Sequence, residues 1–154
     1  MSKSKIHGWL CPGEVSGRFL MLPIEVYEAP QFQSLTPAAR DFYIFLNVYR
    51  ESEEQRACLY EALTEYNRLY DLGLSDFDIQ NEARPGKGSK FNSGYFVAPM
   101  KHLEKHGYKK DYVKRLKRQL IDQGFIKIAY GGKGKYCGFH GNVTIYQFIT
   151  KWQG

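Results

Sequence analysis

The sequence predicts an α+β domain, and three observations carry that reading. Apolar residues recur at helical spacing over 37–50, 53–72, 99–106 and 109–123. Short strand-like runs occupy 95–97, 125–130 and 143–149. A glycine-rich stretch, 131–141, joins the last two of them.

The elements follow in chain order. Residues 1–17 are Gly-rich and polar and read as an N-terminal arm. Phe19-Leu20-Met21-Leu22, stopped by Pro23, suggests an extended segment. Thr36-Pro37 opens a helix, because a side-chain oxygen can cap free N–H groups and proline suits the first helical position. Ala39, Phe42, Phe45, Leu46 and Tyr49 form its apolar stripe. Ser52-Glu53-Glu54-Gln55 reads as a capping box. Leu59, Ala62, Leu63, Tyr66 and Tyr70 continue that helix on one face towards Gly73. The stretch 74–92 is expected to be irregular, with Asp76, Asp78 and Glu82 followed by a Gly/Lys-rich loop. Tyr95-Phe96-Val97 is a strand, Pro99 opens a helix that Gly107 closes, and a second helix ends at Gly124. A strand alternating around Ile126 and Ile128, the glycine loop and a last strand complete the chain.

Strand, helix, turn, helix, strand, loop, strand is the order of a winged helix-turn-helix. The expected organisation is a single elaborated domain over 18–154. It carries an extra acidic helix in an insert at about 51–84, with the basic helix-turn-helix and wing at about 91–152.

Charge is divided along the chain. Residues 1–84 hold 8 Lys/Arg against 13 Asp/Glu, a net of −5; residues 85–154 hold 14 against 3, a net of +11. That asymmetry implies a polyanionic partner for the second half. On the helix 109–123, Val113, Leu116 and Leu120 make the inward stripe; Lys114, Arg115 and Arg118, with Asp111 and Asp122, fall on the opposite side, where a recognition helix meets the major groove. Lys110 and Lys117 flank that side, and Lys109 and Lys110 sit where free backbone N–H groups also favour phosphate. Lys133 and Lys135 lie in the wing, in reach of a minor groove or backbone. The predicted partner is double-stranded DNA.

Other chemistries find less footing. The glycine loop lacks Gly-Lys-Ser/Thr and leads into a strand, so it does not match a nucleotide-binding loop. His102 and His106, four apart, have no third metal ligand at a familiar spacing, although Cys137 and His140 share the wing. No hydrolase or metalloprotease signature occurs, so neither catalysis, nor a cofactor, nor a metal is predicted. Cys11, Cys58 and Cys137 are odd in number and irregularly spaced, which does not describe a disulfide framework. The absence of an apolar run near 18 residues and of a signal-peptide pattern makes a cytoplasmic location, away from membranes, the expectation.

Phe19-Leu20-Met21-Leu22-Pro23, then Phe32-Gln33-Ser34-Leu35-Thr36-Pro37-Ala38-Ala39-Arg40, resembles the lead-in of winged-helix proteins from phages, plasmids and other mobile elements. Leu120-Ile121-Asp122-Gln123-Gly124-Phe125-Ile126 is similar to the segment that joins their recognition helix to the wing, and Tyr146 to Trp152 to their final strand. The resemblance implies a DNA-binding role in replication initiation or transcription regulation. The acidic segment 51–84 departs from that pattern. The alternative is a protein-interaction adaptor on the same scaffold with no DNA binding. It would use 51–84, with Tyr60, Tyr66 or Tyr70 exposed, to hold a homodimer or another protein.

Overall fold

A computed structural model describes residues 22–83, 94–131 and 143–149. The N-terminal arm, residues 19–21, the whole of the Gly/Lys-rich loop and all of the expected wing but Gly131 lie outside the described residues. Two short helices come first, α1 (Ile24–Glu28) and α2 (Pro30–Gln33), neither of which the sequence reading anticipated. Each turns one apolar side chain inward, Val26 and Phe32. They are too short to show periodicity, but Ala29-Pro30 carries the signal of proline at a first helical position.

Helix α3 (Pro37–Tyr49) starts as expected, with the Thr36 hydroxyl accepting from the Ala39 N–H at 3.2 Å. Helix α4 (Glu53–Tyr70) starts at Ser52, whose hydroxyl accepts from the Gln55 N–H. The expected capping box is only half formed, because Gln55 is committed elsewhere. Its amide nitrogen donates to the Arg50 carbonyl at 2.9 Å and its oxygen accepts from the Val97 N–H at 2.8 Å. The helix also stops before Gly73, at Asp71, which takes the left-handed conformation with φ 51°. The stretch after it is not irregular throughout. Helix α5 (Asp76–Glu82) carries a complete Ser75/Asp78 capping box, so the acidic patch is largely the cap and first turn of a helix.

Strand β1 (Tyr95–Val97) leads to α6 (Met100–Glu104) and α7 (Lys110–Asp122), then to β2 (Ile126–Tyr130) and β3 (Ile145–Phe148). Gly107 and Gly124 follow the two helices at φ 90° and 85°, conformations that side chains disfavour and that let the chain turn sharply. The three strands form one antiparallel sheet in the order β1-β3-β2.

Adjacent strand residues point to opposite faces, and here both faces are covered. Phe96, Ile126, Tyr146 and Phe148 pack with α3, α6 and α7 through Phe42, Leu46, Leu103, Val113, Leu116 and Leu120. Val97 and Ile145 pack with α4 and α5 through Leu59, Leu63, Tyr66 and Ile79. The acidic segment thus supplies the second cover of the sheet. The alternation expected around Ile126 and Ile128 does not hold. Ile126 is buried while Ile128 is 43% exposed, and the pairing of β2 with β3 shifts between Ile128 and Tyr130. The shift lies beyond Ile128, which stays opposite Tyr146 on the edge strand, and it turns Tyr130 to pair with Ile145 and pack on the α4 side.

Candidate nucleic-acid interface

Helix α7 is anchored from below and at one side. Val113, Leu116 and Leu120 are buried at 2% exposure or less. The Gln119 amide ties α7 to the start of α3: its oxygen accepts from the Thr36 N–H and its nitrogen donates to the Thr36 hydroxyl, both at 3.1 Å. The helix is therefore held at a fixed rotation, and its remaining side chains are set by that rotation.

Lys110, Asp111, Tyr112, Lys114, Arg115 and Arg118 are exposed on it, and Lys109 is exposed at its N-cap. No carboxylate among the described residues forms an ion pair with Lys114, Arg115 or Arg118. The Arg115 guanidinium lies over the Tyr112 ring, 6.0 Å from its centroid. Stacking of this kind holds a flexible cation in one orientation. Lys109 and Lys110 stand at the unsatisfied N–H groups of the first turn, and no side chain caps them. Five of the expected contact residues, Lys109, Lys110, Lys114, Arg115 and Arg118, are thus brought together on one exposed helix.

Lys117 is placed differently from the flank position expected of it. Its ammonium turns inward, donating to the Ala98 carbonyl at 3.4 Å and sitting 4.7 Å from the centre of the Tyr146 ring. Burial lowers its pKa to about 8. Position 117 is four after Val113 and three before Leu120, which is the signal that places it on the inward stripe. A cation held there joins α7 to the sheet and does not reach a phosphate.

Lys127 on β2 is exposed and was not among the residues the sequence reading singled out. It sits between Ile126 and Ile128, where period-2 alternation marks an outward position. Lys133 and Lys135 lie outside the described residues.

His102 is a core residue, 5% exposed, with both ring nitrogens engaged. Nδ1 shares a hydrogen bond with the Tyr49 hydroxyl, and Nε2 lies 3.5 Å from Glu54, which also pairs with Lys105 at 2.5 Å. Burial is the main reason its pKa is lowered, against an opposing pull from Glu54. The same burial raises the pKa of Tyr49. His106 is exposed and packs on the Phe45 and Tyr49 rings. The two histidines therefore serve packing between α3, α4 and α6. Among the described residues no group of three His, Cys, Asp or Glu side chains could hold a metal ion. Cys137 and His140 lie outside the described residues. A cleft of about 270 Å³ between α4 and α5, lined by Glu53, Arg56, Tyr60 and Gln80 among others, includes no residue of α7. No helix among the described residues is long and apolar enough to cross a membrane.

Comparison of the chain with protein-family models, with curated proteins and with solved structures finds no match.

Proposed function

We propose that this chain binds duplex DNA through a winged helix-turn-helix, with α7 as the recognition helix. One observation carries the reading: the outer face of α7 presents Lys114, Arg115 and Arg118 exposed and, among the described residues, without a carboxylate partner, beside a helix start that displays Lys109 and Lys110. A sheet order of β1-β3-β2 following α3, with α6 and α7 between β1 and β2, supports it. So does the net of +11 over 85–154. Lys114, Arg115 and Arg118 would meet base edges and phosphates in the major groove, and Lys109 and Lys110 would meet phosphates. A mobile-element role in replication initiation or transcription regulation, in the cytoplasm, is the biological form of this reading. It rests on the sequence resemblance.

The test is a titration of fluorescent duplex DNA at several salt concentrations. The parent should bind with affinity that falls steeply as salt rises, because each phosphate contact releases condensed counterions. The K114A/R115A/R118A variant should lose about 100-fold or more in affinity and flatten the log–log salt slope by about 2 to 3, with an unchanged circular dichroism spectrum. Equal binding by parent and variant would sink the assignment of α7.

A second reading, the adaptor without DNA binding, is favoured by exposed Leu69 and Tyr70 at the end of α4, 39% and 58% exposed. It loses Tyr66, which is 2% exposed and belongs to the core. Light scattering that found a stable dimer, joined to no DNA affinity at low salt, would favour this reading.

A further inference from the structure

Tyr66 belongs to the acidic helix, yet its side chain reaches both ends of the connection between β2 and β3. Its ring stacks on Tyr130, the last residue of β2, at 5.7 Å and 24°. Its hydroxyl donates to the Val143 carbonyl at 3.0 Å, two residues before β3 begins. Tyr70 stacks on the same ring at 5.7 Å and 10°, which fixes the Tyr66 ring from within α4. These contacts fall where the ladder is weakest. The β2–β3 register shifts between Ile128 and Tyr130, and its last pair is Tyr130 with Ile145, so Val143 lies beyond the ladder. A hairpin whose register is disturbed near its exit does not by itself fix the direction of the chain that leaves it.

We propose that Tyr66 is a positioning residue, clamping Tyr130 to Val143 so that α4 sets how the chain leaves β2 and enters β3. Lys133 and Lys135 fall within the span so enclosed, and the consequence for DNA rests on the reading given above. The acidic segment then has a task besides covering the sheet: it holds together the two ends, Tyr130 and Val143, between which Lys133 and Lys135 fall in the sequence. Tyr66 touches no nucleic acid in this scheme and acts through Tyr130 and Val143.

Tyr66→Phe keeps the stacked ring and removes only the hydroxyl bond. In the full chain without DNA, amide hydrogen exchange at 128–131 and 143–146 should quicken about fivefold, the weight of one hydrogen bond, while the amides of α7 stay within about twofold. Unchanged exchange at those two stems would overturn the clamp, and so would an equal increase throughout α7, which describes general loosening. This measurement decides the clamp whether or not the chain binds DNA. The second measurement is a double-mutant cycle in duplex affinity with K133A/K135A. Tyr66→Phe should weaken binding about threefold in the parent and leave the K133A/K135A background unchanged. An equal loss in both backgrounds would show that Tyr66 does not act through the loop. A parent that binds no DNA would instead remove the DNA reading and leave the exchange result standing.

Discussion

The two long helices α7 and α4 cover opposite faces of one small sheet and show opposite charge to the outside. Both reach the core in the same way, through residues three and four apart: Val113, Leu116 and Leu120 on one, Leu59, Leu63 and Tyr66 on the other. Their remaining positions differ. With Lys117 turned inward, α7 shows four cations against two carboxylates, and α4 carries four carboxylates against two cations. Burial selects the inward residues of both helices by the same rule and leaves the outward ones free to be chosen for a partner. The charge contrast is therefore the part of the molecule that speaks of function. The two sides also differ in polar detail. On the α4 side Gln55 accepts from the Val97 N–H of β1 and Tyr66 donates to the Val143 carbonyl just before β3, whereas the α7 side meets the sheet through packed rings and one half-buried cation.

The largest test asks whether the two sides fold as one. Leu63→Ala and Leu120→Ala each remove a side chain with no exposed surface, one on each face, and each should cost about 3 kcal/mol. If the sheet couples the sides, both variants lower one common unfolding transition, followed by near- and far-ultraviolet dichroism. If Leu63→Ala produced a separate early transition, the α4 side would be an appendage and the comparison would fail.

Gln55 is the sharper probe of the polar side. Gln55→Ala leaves the Val97 N–H and the Arg50 carbonyl without this partner, and should cost about 2 kcal/mol in urea unfolding at pH 7. A loss below about 0.5 kcal/mol would mean that water replaces the amide at little cost.

The half-buried cation of the α7 side makes a pH prediction. The folded Lys117 pKa of about 8 lies below its ordinary value, so between these pH values the unfolded chain holds a proton that the folded one lacks. Stability attributable to Lys117 therefore rises as pH climbs from about 8 to about 10.5, on the order of 2 kcal/mol once partial exposure is discounted. Lys117→Met should flatten that rise in thermal melts taken across the range. A rise unaltered in the variant would assign it to other groups.

His102 bridges the two sides and carries the smallest effect. Burial holds its pKa below the ordinary value, so the unfolded chain takes up the proton first as pH falls. Its contribution to stability is complete above the unfolded pKa and is lost as pH drops from there towards the folded pKa. His102→Gln should remove that acid-side loss as pH falls below about 6.5, while lowering stability at neutral pH through loss of the Tyr49 and Glu54 contacts. An acid limb of the same depth in parent and variant would exclude His102 as its source.

Much of the fold was legible because its signals are local. Thr36-Pro37, Ser52, Gly107 and Gly124 mark helix ends through backbone groups within three or four residues of themselves. Helix α5 carries an equally local signal in Ser75 and Asp78, a capping box set among acidic residues whose spacing shows no apolar period. On α7, the outward direction of Lys114, Arg115 and Arg118 followed from helical geometry alone. Lys117 needed a closer reading of the same geometry, since its spacing from Val113 and Leu120 already set it inward.

By itself the sequence determined the long helices and most of their ends, the three strands and the basic face of α7, because each depends on neighbours along the chain or on a single period. Only the tertiary structure decided where the acidic helix goes, why Gln55 abandons its cap for β1, and which rings Tyr66 joins. Those outcomes turn on contacts between residues 42 and 77 positions apart. No local period encodes them; they arise because the second face of the sheet must be covered and its polar groups given partners.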